Sequence, residues 1–182
     1  MKRKTPREIL SEAFVELAAE KSIDRITVGD ICRNCGYSSS SFYRHFRDKY
    51  DLIAWYYAEK MAVFMRRISS GELSWKDAYL ESCRYYEEQR EYLKNLLLHT
   101  KGMDSFLQNM VEINFYVYLD FLRQKRGGEP DGKTILAVRL YCLGAAALVS
   151  EWITGKWKAA PEEVAEILEE SFPLPLNDPA KG

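Results

Sequence analysis

The chain has 182 residues, 47% apolar and 29% charged, the balance of one or two globular domains with a proper core rather than a disordered or fibrous chain. Formal net charge is −1, yet residues 1–49 carry ten Lys/Arg against seven Asp/Glu while the remainder carries sixteen against twenty, the sign expected if the first segment faces phosphates. The longest uncharged run is the 11 residues from Leu140 to Ser150, short of the roughly 20 apolar residues of a bilayer span. No apolar stretch follows the basic N-terminus, so a cytoplasmic chain with no membrane partner is expected.

Helix-period apolar patterns dominate and strand signals are scarce, so the expected class is all-α with about nine helices. Thr5-Pro6-Arg7-Glu8 opens the first helix: Thr5 caps, Pro6 suits the first helical position, and Glu8 returns a bond to the cap. Ile9, Leu10, Ala13, Phe14, Leu17 and Ala18 then form one stripe, and Ile23 to Ile26 is a short joint. Thr27-Val28-Gly29-Asp30 repeats the cap logic for a second helix to about Asn34, with Gly36 as its left-handed terminator. Ser38 caps a third helix expected through Phe46, and Asp48 and Asp51 bracket the start of a fourth reaching Ile68.

After Ser69-Ser70-Gly71, Ser74 opens a helix to about Arg90, and Tyr92 to His99 forms a shorter one. Asp104 to about Lys125 reads as a long helix, followed by the breaker loop Gly127 to Gly132. Lys133 to about Lys156 is a long, very apolar helix and Pro161 to Ser171 a shorter amphipathic one. The tail with Pro173, Pro175 and Pro179 is expected to fray.

Residues 27–46 therefore have the form helix, glycine-containing turn, helix. A short second helix braced by the first is what lying in a DNA major groove requires. Val28, Ile31, Phe42 and Phe46 would lock the pair, leaving Ser39, Ser40, Tyr43, Arg44 and His45 outward as small or hydrogen-bonding groups. Serines at the helix start permit close approach, and the free N–H groups there favour phosphate oxygens.

The stretch from Ile9 to Leu52, with its core S-S-S-S-F-Y-R-H-F-R-D-K-Y-D-L, resembles the N-terminal domain of the TetR/AcrR family of transcription regulators. The resemblance implies a three-helix helix-turn-helix domain over 1–50, a linking helix over 48–68, and a C-terminal dimerisation and sensing domain within 51–182. Thr27, Ser38, Tyr43 and Lys49 match positions that usually hold phosphates. Ser39, Ser40, Arg44 and His45 match positions that approach bases or adjacent phosphates. A lysine at a helix start opposes the helix dipole, so Lys49 is expected to have an external anion as its reason for being there. The chain departs from the family pattern at Cys32 and Cys35, where alanine is common, at Tyr37 for valine, and at Ser40 for glycine.

Leu140 to Trp152, with Gly155 and Pro161-Glu162-Glu163, looks like the last two helices of many members, which pair with their copies across a two-fold axis. Gly144 and three neighbouring alanines would allow close helix approach in a homodimer through residues 134–156 and 161–171, the alternative being a central core helix of a monomer. Two heads one DNA turn apart would suit an inverted-repeat operator. A sensing pocket is expected among the later helices, with Tyr85, Tyr86, Met110, Asn114, Phe115, Tyr118 and Trp152 as candidate walls. Asn114 interrupts an apolar face, and a buried amide needs a partner.

Cys32 and Cys35 form a C-x-x-C, but no second pair or ligand-spaced histidine completes a zinc set, so both read as packed small side chains. No nucleophile–base pair, phosphate loop or metal set stands in motif context, and an enzyme is not expected. No cofactor is expected beyond an unidentified small-molecule effector. The leading expectation is a dimeric repressor released by that effector. The alternative keeps DNA binding and makes the signal a protein partner, with activation as a possible output.

Overall fold

A computed structural model describes residues 4–102 and 105–173. The expected helix start at Asp104 and the tail prolines Pro175 and Pro179 lie outside the described residues. Those residues form nine α-helices and no strand. They are α1 (Pro6–Glu20), α2 (Val28–Cys35), α3 (Ser39–Tyr43), α4 (Lys49–Ser69), α5 (Trp75–Glu88), α6 (Arg90–His99), α7 (Phe106–Arg126), α8 (Gly132–Ile153) and α9 (Pro161–Glu170), with a 3₁₀ turn over Ile23–Arg25.

Local chemistry accounts for most of the boundaries. Thr5 and Glu8 close a reciprocal capping box on α1, and Thr27 and Asp30 close another on α2. Ser38, Asp48, Ser74 and Asp131 each accept an N-terminal amide of the helix that follows. Such caps satisfy donors that no helix can bond internally. Gly36 ends α2 at φ 74°, a left-handed turn that glycine adopts without steric cost.

Several boundaries differ from the sequence reading. α3 ends at Tyr43 rather than Phe46. Beyond it the chain tightens, His45 N–H bonding to the Phe42 carbonyl at 2.9 Å, which turns Phe46 inward to 2% exposure. α5 stops at Glu88 and α6 begins at Arg90, because Gln89 leaves helical geometry at φ −100°, ψ 19°. α8 takes in Gly132 and stops at Ile153, where Thr154 caps and Gly155 turns left-handed at φ 86°.

α1, α2 and α3 pack around Phe14, Ile31, Phe42 and Phe46, with Leu52 from α4 closing the base. α4 then leaves this head and carries Tyr57 and Met61 into the continuation of the same core among the later helices. There α5 lies along α9, α7 along α8, and α4 along α7. α6, like α4, bridges the head and the later helices, touching α1, the 3₁₀ turn and α8.

α8 also corrects the reading taken from uncharged runs. With 22 residues and a mean hydropathy of 1.5 it is, by length and composition, the one helix among the described residues long and apolar enough to cross a membrane. In this fold it packs on α7, and its Arg139 pairs with Glu112 at 2.6 Å.

Candidate nucleic-acid interface and inner cavities

The head presents α3 outward. Phe42 is fully buried beneath it while Tyr43 is 59% exposed, so two adjacent aromatics divide between core and surface. Ser38 is spent as the cap, accepting the Ser41 amide at 3.1 Å. Ser39, Ser40 and Arg44 are exposed, and Arg44 Nη2 donates to Ser41 Oγ at 2.9 Å, which aligns the guanidinium along the helix. His45 is half-buried, and its carbonyl accepts from Arg7 at 3.0 Å. Arg7 in turn lies over the Phe46 and Trp55 rings, 5.2 and 5.5 Å from their centroids, and so ties α1 to the end of α3.

Thr27 is exposed at the start of α2, and its hydroxyl both accepts the Asp30 amide at 3.1 Å and donates to the Asp30 carboxylate at 2.8 Å. The backbone amide of Thr27 and then its hydroxyl hold the Asp30 carboxyl well below its ordinary value. Lys49 does not point freely into solvent. Its ammonium donates to the carbonyls of Ile23 at 2.7 Å and Ile26 at 2.9 Å. These bonds answer its unfavourable place at a helix start and pin the turn that leads to Thr27. Burial shifts the Lys49 ammonium to a lower pKa than usual.

The seven candidate pocket walls separate into two groups. Tyr86, Met110, Asn114 and Tyr118 line a cavity of about 70 Å³ between α4, α5, α7, α8 and α9. Asn114 and Tyr118 also line a neighbouring cavity of about 50 Å³ beside Trp75. Tyr85, Phe115 and Trp152 line neither. Tyr85 lies under Lys60 on the α4 side. Phe115 is covered by the Arg139 guanidinium, and Trp152 donates to the Ala159 carbonyl at 2.9 Å beneath Arg90. Trp152 is buried and Tyr85 and Phe115 half-buried, and helical spacing alone could not say which way each faces.

Phenols dominate the cavity walls. Tyr118 and Tyr79 hydroxyls lie 2.8 Å apart, Tyr79 and Tyr141 3.0 Å, and Tyr141 is 2.8 Å from the Leu168 carbonyl. Tyr141 donates toward both the Tyr79 hydroxyl and the Leu168 carbonyl, so its single proton is shared between two acceptors. Burial, chiefly, lifts the Tyr79 hydroxyl to about 12 and the Cys142 thiol to about 12, so both stay neutral. Tyr57 donates to Asn114 Oδ1 at 3.2 Å and lies 3.3 Å from the Tyr86 hydroxyl.

Two further side chains went unnoticed in the sequence. Asn95 on α6 donates to the carbonyls of Ala18 and Lys21, both at 3.0 Å, and accepts the Ile23 amide at 3.2 Å. Arg90, at the other end of α6, donates to the carbonyls of Trp152 and Ile153 that end α8. Their partners lie more than sixty residues away in the chain, and no local pattern could have signalled them.

A buried three-helix head with a polar, outward α3 is the arrangement of a helix-turn-helix DNA-binding regulator. Residues 9–54 match the family described as bacterial regulatory proteins, tetR family, and residues 74–173 match a family described as a transcriptional regulator C-terminal region. The chain belongs to the TetR family of transcription regulators, a family of DNA-binding proteins and not of enzymes. A TetR transcriptional regulator from Rhodococcus sp. RHA1 superposes with a TM-score of 0.65 at 14% identity, over 92% of this chain and 94% of that one. The dihydroxyacetone kinase operon activator DhaS gives 0.61 at 17%, over 89% and 90%. Thermus thermophilus FadR, a repressor solved with lauroyl-CoA, gives 0.60 at 16%, over 97% and 99%. At these identities the likeness is one of fold.

Proposed function

We propose that the protein is a homodimeric repressor that reads an inverted-repeat operator and is released by a small-molecule effector. In this reading residues 1–50 form the DNA-binding domain and 51–182 the dimerisation and sensing domain. Thr27, Ser38, Ser39, Ser40, Tyr43, Arg44 and His45 face the DNA, and Lys49 acts from behind them. The observation that carries the reading is an exposed apolar stripe on α8: Leu136 is 72%, Leu140 73% and Leu143 48% exposed. Residues three and four apart share one helix face, and Gly144 and Ala147 continue it at the surface. A second copy laid on that stripe and on exposed Ile167 of α9 would set two heads in two-fold relation.

The test combines sedimentation of the purified protein with footprinting on the DNA around its own gene at two salt concentrations. A dimer protecting one short inverted repeat in a salt-dependent way supports the reading. A monomer, or protection without sequence preference, overturns it.

A second reading, in which a protein partner supplies the signal and the output is activation, draws on the size of the cavities. At about 70 and 50 Å³ both are well under the several hundred Å³ of ordinary ligand sites.

A further inference from the structure

The two cavities meet at a shared wall, and that wall is unusual in its chemistry. Met61, Tyr79, Ser82, Asn114 and Tyr118 line both. No charged side chain lines either cavity. A carboxylate or phosphate placed there would lose its hydration with no counter-ion to replace it. The wall does offer hydrogen bonds. One end of the Asn114 amide is held by Tyr57, and among the described residues its Nδ2 and the Ser82 hydroxyl make no hydrogen bond to protein. The Tyr141 proton is already divided between the Tyr79 hydroxyl and the Leu168 carbonyl, and Tyr118 lies within hydrogen-bond distance of Tyr79.

Size narrows the class further. A dry cavity of about 150 Å³ is known to take one benzene ring. Neither cavity reaches that alone, but Met61 is an unbranched side chain with several rotatable bonds and adapts readily. Together the two spaces come to about 120 Å³, so displacement of Met61 has to supply the remainder of a one-ring site. Trp75 and Tyr118, with ring centroids 5.8 Å apart and 25° between planes, provide a flat face at one end.

Resting on the ligand-released reading above, we propose that the effector is an uncharged one-ring molecule with a hydrogen-bond acceptor, held between Asn114, Ser82 and Tyr118. The acceptor takes the free Asn114 Nδ2 proton, and the ring lies against Tyr118. Long-chain acyl thioesters of coenzyme A are excluded as effectors on both charge and length.

Four probes decide this on the full-length protein with its operator fragment. They are acetophenone, ethylbenzene, benzoate and lauroyl-CoA, each followed by saturation-transfer NMR and by release of labelled DNA. Acetophenone is expected to bind and release DNA, ethylbenzene to bind about tenfold more weakly for want of one hydrogen bond, and the two anions to stay silent. Asn114→Leu is expected to weaken acetophenone about tenfold while leaving ethylbenzene unchanged, a pattern that misfolding cannot produce. Ser82→Ala gives the same comparison should Asn114→Leu fail to fold. An acetophenone affinity indifferent to both substitutions overturns the proposal. Release by benzoate or lauroyl-CoA with acetophenone silent overturns the ligand class while ligand release itself stands. Silence from all four, or acetophenone binding that leaves DNA in place, overturns the proposal while ligand release by another class of molecule still stands.

Discussion

The side-chain amide of Asn95 on α6 accepts the backbone amide of Ile23 at 3.2 Å and returns two N–H bonds to the carbonyls that end α1. One side chain of the bundle thus finishes a helix of the head. Beside it His99 lies 3.0 Å from Asp24 on the same turn. Asn95→Ala leaves three half-buried backbone groups without partners, at a cost of about 1–3 kcal/mol. Asn95→Asp is expected to be at least as harmful, since it keeps the acceptor for Ile23 but turns a carboxylate oxygen toward two carbonyls. Urea unfolding of the three proteins checks the order. A harmless aspartate would mean that the two carbonyl bonds contribute nothing.

Lys49 separates two roles that look alike in a binding assay. If its ammonium held a phosphate, removing it would lower the salt dependence of operator binding by about one unit of slope. The structure commits that ammonium to Ile23 and Ile26 instead. Lys49→Met is therefore expected to lose about 1–3 kcal/mol of stability through two stranded carbonyls. Operator affinity should fall with its salt slope unchanged. A shallower slope at unaltered stability would restore the phosphate role expected from the sequence.

On α3, exposure divides stability from binding. Tyr43 is 59% exposed, with only an edge-on contact to Phe42 at 5.5 Å. Tyr43→Ala should leave the unfolding midpoint within about 0.5 kcal/mol of the parent and weaken binding to all operator variants alike. Arg44→Ala should instead relax preference at one base position, by about 1–3 kcal/mol of discrimination. Binding titrations on a set of single-base operator variants read both effects. Equal losses across the set for Arg44→Ala would leave it a backbone contact.

The contrast between these residues also marks what sequence can reveal. Thr5 with Glu8, Thr27 with Asp30, and Ser38 before Ser41 act within four residues, so their spacing is visible in the chain and the boundaries they set were found. The motif from Ile9 to Leu52 carried the fold of the head for the same reason. Asn95 to Ile23 and Arg90 to Trp152 act across the whole molecule, and their partners are backbone groups that have no residue signature. The pocket fell between. Tyr86, Met110, Asn114 and Tyr118 reach the cavities. Tyr85 is the immediate neighbour of Tyr86 yet faces α4, because adjacent helical residues point about 100° apart.

Asp30 gives a dependence on pH with a definite sign. The Thr27 amide, then the Thr27 hydroxyl, lower its folded pKa beneath the ordinary 3.8. A carboxyl depressed in the folded state contributes stability that is present in full above its unfolded value and is lost as pH falls through the folded one. The capping box at α2 should therefore hold unchanged down to pH near 3.8 and weaken only below it. Asp30→Asn should be less stable than the parent at neutral pH, with the gap closing as pH drops toward about 2. Denaturant midpoints across that range test it. A gap that widens in acid would mean that the carboxylate is not what the cap depends on.

The stripe on α8 supplies the sharpest test of assembly. Leu136 and Leu140 are four residues apart and more than 70% exposed, and Gly144 follows after another four, so the three share one face of the helix. Among the described residues nothing fills this face, and leucines left mostly exposed gain little from folding. Pairing with a copy removes them from water at about 25 cal/mol for each Å² covered. Leu140→Arg would set two cations against each other across a two-fold axis while costing the single chain little, since the residue is already 73% exposed. The expected outcome is a folded, helical monomer by circular dichroism and sedimentation, with operator affinity reduced by the loss of the second head. Leu96→Arg, at a residue 1% exposed inside the bundle, should instead unfold the chain. If Leu140→Arg stays dimeric, the interface lies elsewhere, and the inverted-repeat geometry that depends on this face goes with it.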